Sequence, residues 1–146
     1  MKASPTDIDR EAARVFQPAP GMRGILDYRA FGGMWVRVKT VTPSLVSGWY
    51  DAFPGEWHAN APEFSRFAAF DTDDPATVGC MLAQVRVAHP SRSVSVVDRR
   101  HTLPGEDDRR FQVLVHHGGT HTTAAGPTCG AALVAAMRAL KGETAP

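Results

Sequence analysis

The sequence predicts an α+β domain built on a small antiparallel sheet. Three observations lead there. Apolar residues recur at helical spacing in three segments, each with start or stop signals. Alternating runs come in pairs around Gly-Gly and Pro-Gly turns. The resulting order, α-β-β-irregular-α-β-β-α, is that of two hairpins forming one sheet with helices packed on it. The chain has 146 residues, close to the common size of one domain. A chain of that length buries roughly 70% of its unfolded surface and needs neither disulfide nor metal to hold a core. A single domain over 1–146 is expected, with an N-terminal helix in 1–20, a hairpin and aromatic-rich excursion in 21–73, a sandwich unit in 74–142 and a frayed tail in 143–146.

The first helix is expected from Ser4 to Gln17. Ile8, Ala12, Val15 and Phe16 share one face, Ser4 or Thr6 can cap it, Asp7 and Asp9 suit its positive end, and Pro18 and Pro20 stop it. A hairpin follows, with Ile25–Phe31 and Met34–Val41 around Gly32-Gly33. In its second strand Trp35, Arg37 and Lys39 alternate with Val36, Val38 and Thr40, which predicts one wet face and one apolar face. Residues 42–73 carry Pro43, Pro54 and Pro62, which interrupt regular elements, yet hold Trp49, Tyr50, Phe53, Trp57, Phe64, Phe67 and Phe70. So many aromatics argue against disorder and for an ordered, irregular excursion packed on the core, with a helical turn near Ser44–Tyr50. Pro75–His89 reads as a helix with Asp74 as N-cap and Val78, Met81, Leu82, Val85 and Ala88 as its stripe. Strands are expected over Ser93–Arg99 and Arg110–His116 around Pro104-Gly105. The last helix runs from Cys129 to about Leu140, capped by Thr128 and ended by Gly142.

Sixteen basic residues face fifteen acidic ones, a formal net charge of +1. A nucleic-acid role would therefore need a local patch, because each phosphate contact takes a cation. The N-terminus MKASPTDIDREAARVF has no apolar signal core, and no run approaches the ~20 apolar residues of a membrane span. The cytosol is the expected location, with Cys80 and Cys129 expected reduced and buried. The sequence has no phosphate-binding glycine loop and no nucleophile elbow. No cofactor, metal or catalytic residue is assigned.

The run Asp74-Pro75-Ala76-Thr77-Val78-Gly79-Cys80-Met81-Leu82, with Gly126-Pro127-Thr128 and Ala131-Ala132-Leu133-Val134-Ala135-Ala136-Met137, resembles small phage and prophage proteins of the ABA-sandwich type. The closing Gly-Pro-Thr turn and its helix are similar to the end of NinX-type phage proteins. The resemblance covers about half the chain and its motifs are structural. Ala131 stands where related sequences often carry an acidic residue, which leaves the capping box incomplete. The resemblance implies a phage or prophage origin and action inside an infected bacterium; it carries over no activity to any residue.

Several clusters bear chemistry. His116-His117-Gly118-Gly119-Thr120-His121 places three imidazoles in six residues, and imidazole is a common zinc ligand. Neighbouring strand residues point to opposite faces, and no paired metal motif accompanies them, so exposed loop histidines are the plainer reading. His121-Thr122-Thr123 is similar to the His-x-Thr element of two-histidine phosphoesterases, but the required second copy is missing, since His101-Thr102-Leu103 fails at its third position. Cys129, at a helix start, is expected to have a lowered pKa. Asp71 and Asp73 read as solvated. Arg99, Arg100, Arg109 and Arg110 form the one phosphate-binding patch, offset by Glu106, Asp107 and Asp108. Trp49, Tyr50 and Trp57 are core anchors or, if exposed together, a protein interface. The interaction candidates are thus Trp49, Tyr50, Trp57, Arg99, Arg100, Arg109, Arg110, His117 and His121. The favoured function is a phage-encoded, non-catalytic accessory protein that binds another protein of host or phage, including an anti-CRISPR-like inhibitor of a bacterial defence complex. The alternatives are a nucleic-acid-binding module using the Arg99–Arg110 hairpin and a metal- or histidine-dependent hydrolase.

Overall fold

The structure is a computed structural model and describes residues 2–27, 33–60, 66–89, 93–99, 107–116 and 119–142. The α+β class holds. Its strands form two antiparallel sheets, one of five and one of three, in place of the single sheet expected. The chain groups into two compact units, Met1–Cys80 and Met81–Pro146.

The first unit opens with α1 (Asp7–Val15). The helix is shorter than expected because Thr6, not Ser4, is the N-cap. The Thr6 hydroxyl accepts from the Asp9 N–H while the Asp9 carboxylate accepts from the Thr6 N–H, a reciprocal capping box. Ala12, Val15 and Phe16 are buried, whereas Ile8 is 37% exposed. The sheet comprises β1 (Arg23–Leu26), β2 (Trp35–Val41), β3 (Leu45–Tyr50), β4 (Glu56–Asn60) and β5 (Phe67–Phe70), in the order β4-β3-β2-β1-β5. The β1–β2 hairpin is present, with Gly24 opposite Val36; its turn residues 28–32 fall outside the described residues.

The irregular excursion expected over 42–73 is instead three strands, and the helical turn near Ser44–Tyr50 is strand β3. Pro43 and Pro54 lie in the connections and so cost no ladder hydrogen bond. In β4, Glu56, His58 and Asn60 are exposed while Trp57 and Ala59 are buried, the period of a half-buried strand. Val36, Val38, Trp57 and Ala59 build the core on one face. Gly48 is required there: a Cβ would stand 1.8 Å from the Arg37 carbonyl oxygen. At the other edge α1 packs against β5, where Phe67 and Phe70 stack at 5.0 Å.

Helix α2 (Pro75–Ala88) crosses the boundary between the units. Asp74 caps it as expected, accepting from the N–H and hydroxyl of Thr77. The second unit carries β6 (Val94–Asp98), a 3-10 turn (Asp107–Arg109), β7 (Phe111–His116), β8 (Thr120–Gly126) and α3 (Cys129–Leu140), with sheet order β6-β7-β8. Strand β8 replaces the turn expected around His121. Helix α3 has the expected bounds and the expected Thr128 cap, which accepts from the Ala131 N–H. It packs on β8 and β7 so closely that a Cβ on Gly126 would come within 2.7 Å of the Ala132 nitrogen.

Candidate functional site

The densest polar chemistry in the first unit surrounds α1 and the segment after β5. Asp9 is fully buried, and both its oxygens are occupied. Oδ1 accepts from the N–H and hydroxyl of Thr72, at 3.0 and 2.7 Å; Oδ2 accepts from the Thr6 N–H at 2.9 Å. The Lys2 ammonium lies against both oxygens and also pairs with Asp71 at 3.3 Å and Asp73 at 2.8 Å. Asp71 in turn accepts from the buried Arg23 guanidinium at 2.7 Å, and Arg23 also pairs with Asp51 while covering the Trp35 ring at 4.2 Å. Beside them Arg37 grips Asp74 through two hydrogen bonds of 2.6 and 3.1 Å.

Burial by itself would push the Asp9 carboxyl up. The Lys2 ammonium, with the donors of Thr6 and Thr72, outweighs it and holds Asp9 below the usual carboxylate range. Asp74 is lowered the same way, burial being overcome by Arg37 and Thr77. Lys2 moves upward, because its carboxylate partners overcome the desolvation that opposes its charge. These groups are ionised and mutually satisfied. With its lone pairs taken, Asp9 offers no open base, so the cluster's chemistry is structural. Asp71, expected to be solvated, is 3% exposed, and so is Arg23, which no sequence motif marks.

The cluster borders a cavity of about 370 Å³ lined by Lys2, Arg23, Met34, Trp35 and Asp51, whose charged walls are those same ion pairs. A second, of about 390 Å³, has an aromatic floor of Phe16, Phe67 and Phe70 and a rim of Asp27 and Arg66. Neither brings together a nucleophile and a base.

The face of the sheet that bears Arg37, expected to be wet, is buried at Arg23 and Trp35 and open to solvent from Lys39 across Trp49 to β4, where it carries a different arrangement. Arg37, Trp49 and Glu56 stand in register across β2, β3 and β4. The Lys39 ammonium sits 5.2 Å from the Trp49 ring and 3.2 Å from a Glu56 oxygen, and Glu56 lies 3.8 Å from the His58 ring. Trp49 is 45% exposed. The row is therefore an indole framed by both signs of charge and open to solvent.

The other candidates separate. Tyr50 points away from Trp49 and stacks on Phe53 at 4.5 Å. Trp57 is corrected from interaction candidate to core: it is 1% exposed, donates to the Trp49 carbonyl at 3.2 Å and meets Phe67 edge-on. In the second unit, Arg110 is held by Asp98 through two hydrogen bonds of 2.8 and 3.1 Å and lies over the Phe111 ring. Arg99 and Arg109 are exposed; Arg100 lies outside the described residues. One of the four arginines is thus already engaged, which weakens the phosphate patch. His116 bonds Ser95 at 2.7 Å, and His121 stands opposite Val115, so the two imidazoles leave opposite faces of the sheet. His117 lies outside the described residues. Among the described residues no three His, Cys, Asp or Glu side chains group as a metal site. Cys80 and Cys129 are free thiols, half-buried instead of buried. The lowered pKa expected for Cys129 is reversed: burial pushes its thiol up, and burial with the nearby Asp74 does the same at Cys80.

Among the described residues no helix is long and apolar enough to cross a membrane. Comparison with family models, curated proteins and solved structures finds no match.

Proposed function

We propose that the chain is a non-catalytic accessory protein that acts by binding another protein, through the row Lys39, Trp49, Glu56 and His58 on the solvent-open part of its five-stranded sheet. The observation that carries this reading is the 45% exposure of Trp49. Its neighbours supply charge of both signs around one large aromatic side chain, the composition of an interface anchor with a polar rim. The first unit's buried charges, by contrast, are spent on each other. The reading that the protein is phage-borne and works in the bacterial cytoplasm rests on the resemblance carried by 74–82, 126–128 and 131–137 alone. Inhibition of a bacterial defence complex, of the anti-CRISPR kind, follows from that context and from no particular residue.

Affinity capture from bacterial lysate tests the reading. The wild-type chain is expected to retain a stoichiometric protein partner that Trp49→Ala loses. Capture of no partner, or equal capture by Trp49→Ala, contradicts it.

A further inference from the structure

We propose that the outer edge of β4 pairs antiparallel with the same edge of a second copy of this chain, so that two five-stranded sheets run on as one. Strand β4 bonds β3 on one side, from Leu45↔Asn60 to Trp49↔Glu56, with no break in register. Among the described residues no strand pairs with its other side. Exposed edges are ordinarily blunted by a proline, a bulge or charged side chains, lysine above all. The five residues Glu-Trp-His-Ala-Asn hold no proline, lysine or bulge, and their one fixed charge, Glu56, is offset by Lys39 of β2 at 3.2 Å. The opposite edge, β5, is four residues long, meets β1 through a register shift and packs against α1. Strand β4 is therefore the edge built to accept another strand.

The chemistry of β4 selects the occupant. Glu56, His58 and Asn60 line one face. A twofold axis perpendicular to the sheet keeps that face continuous only in registers centred on a residue. Centred on Trp57, the pairing sets Glu56 of each copy against His58 of the second copy, twice over. Centred on His58, it sets imidazole against imidazole. The fit of the Glu56 carboxylate, an acceptor, to an imidazole N–H, a donor, favours the first register, with Lys39 buttressing Glu56 at 3.2 Å. A five-residue edge covers less than the ~1,200 Å² typical of a stable interface, so the dimer depends on concentration. This association shares Glu56, His58 and Lys39 with the proposed binding row but not Trp49, and sedimentation of the purified chain tests it separately from partner capture by Trp49.

Sedimentation velocity of the full chain tests it, over concentrations from about 5 to about 500 µM. The wild type is expected to shift from monomer to dimer across that range. His58→Glu places like charges opposite each other and is expected to weaken the dimer about tenfold, while His58→Lys strengthens it by a similar factor. The His58 side chain is 57% exposed, and opposite shifts from one position cannot both come from misfolding. A wild type that stays monomeric throughout overturns the proposal, as does a dimer that the two substitutions leave unchanged or shift in the same direction.

Discussion

Asp9 and Glu56 are both carboxylates held by a lysine, Lys2 at 2.8 Å and Lys39 at 3.2 Å, in the same unit of the fold. Their settings differ. The Asp9 side chain is fully buried, whereas those of Glu56 and Lys39 are 48% and 47% exposed. Water screens the outer pair and leaves it worth under about 1 kcal/mol. The inner pair has lost its water, so removing one partner strands a charge at a cost of about 3–5 kcal/mol. Identical chemistry thus fastens the fold in one place and decorates a surface in the other. That difference marks the outer row as the part free to be spent on recognition.

The comparison can be broken most forcefully at Asp71, which the Lys2 and Arg23 cations share. Asp71→Ala leaves Arg23, 3% exposed, with Asp51 alone and is expected to lower stability by about 3–5 kcal/mol. Urea unfolding followed by tryptophan fluorescence measures this cleanly, because Trp35, Trp49 and Trp57 all lie in the first unit. A loss below about 1 kcal/mol would place Asp71 in the same class as Glu56.

Acid sharpens the contrast. Asp9 and Asp74 are held below their usual value of 3.8, so in acid the unfolded chain binds protons before the folded one does. Their stabilisation is complete above the ordinary carboxylate range and drains away as pH falls below it. Lys2 has the opposite sign: its raised value gives stability that is whole below the usual 10.5 and lost as pH climbs through the folded value. Stability of the first unit is therefore expected to be flat near neutrality and to fall at both extremes, as tracked by the urea midpoint against pH. Asp9→Asn is expected to flatten the acid limb.

Thr72→Val is expected to have a smaller effect, about 1.5–3 kcal/mol, because it removes one charge-assisted hydrogen bond of 2.7 Å to Asp9 and keeps the backbone bond at 3.0 Å. Lys39→Met is expected to have the smallest, about 1 kcal/mol or less, since it breaks only solvated contacts, the pair with Glu56 and the approach to the Trp49 ring. A Lys39→Met loss that matched Thr72→Val would remove the distinction between the two settings.

The sequence made the helices legible and the charge network illegible, for physical reasons. Pro75, Asp74 and Thr128 act locally, within one turn of the backbone they satisfy, so α2 and α3 were found with their caps. Asp9 carried a local signal too, as a first-turn acid, but its burial depends on Lys2, Thr72 and the packing of α1 beside β5, none of which is near in sequence. Asp71 and Arg23 meet across 48 residues. Among the strands, β3 was hidden because Val46, Ser47 and Gly48 are buried in succession, which erases the alternation of a half-buried strand. β8 was hidden because Thr120 to Gly126 holds no large apolar residue and follows a glycine pair. β4 did show its period, but Pro54-Gly55 just before it read as a continuing loop. Of the surface row, only Trp49 stands out in the sequence, because its partners Lys39, Glu56 and His58 come from two other strands.

Trp49→Ala, assayed together for unfolding and for partner capture, tests most directly the idea that the interior charges keep the fold while the outer row is spare. The expected result is a urea midpoint near that of the wild type with the partner lost. A midpoint lowered as far as that of Asp71→Ala, with the partner retained, would contradict it.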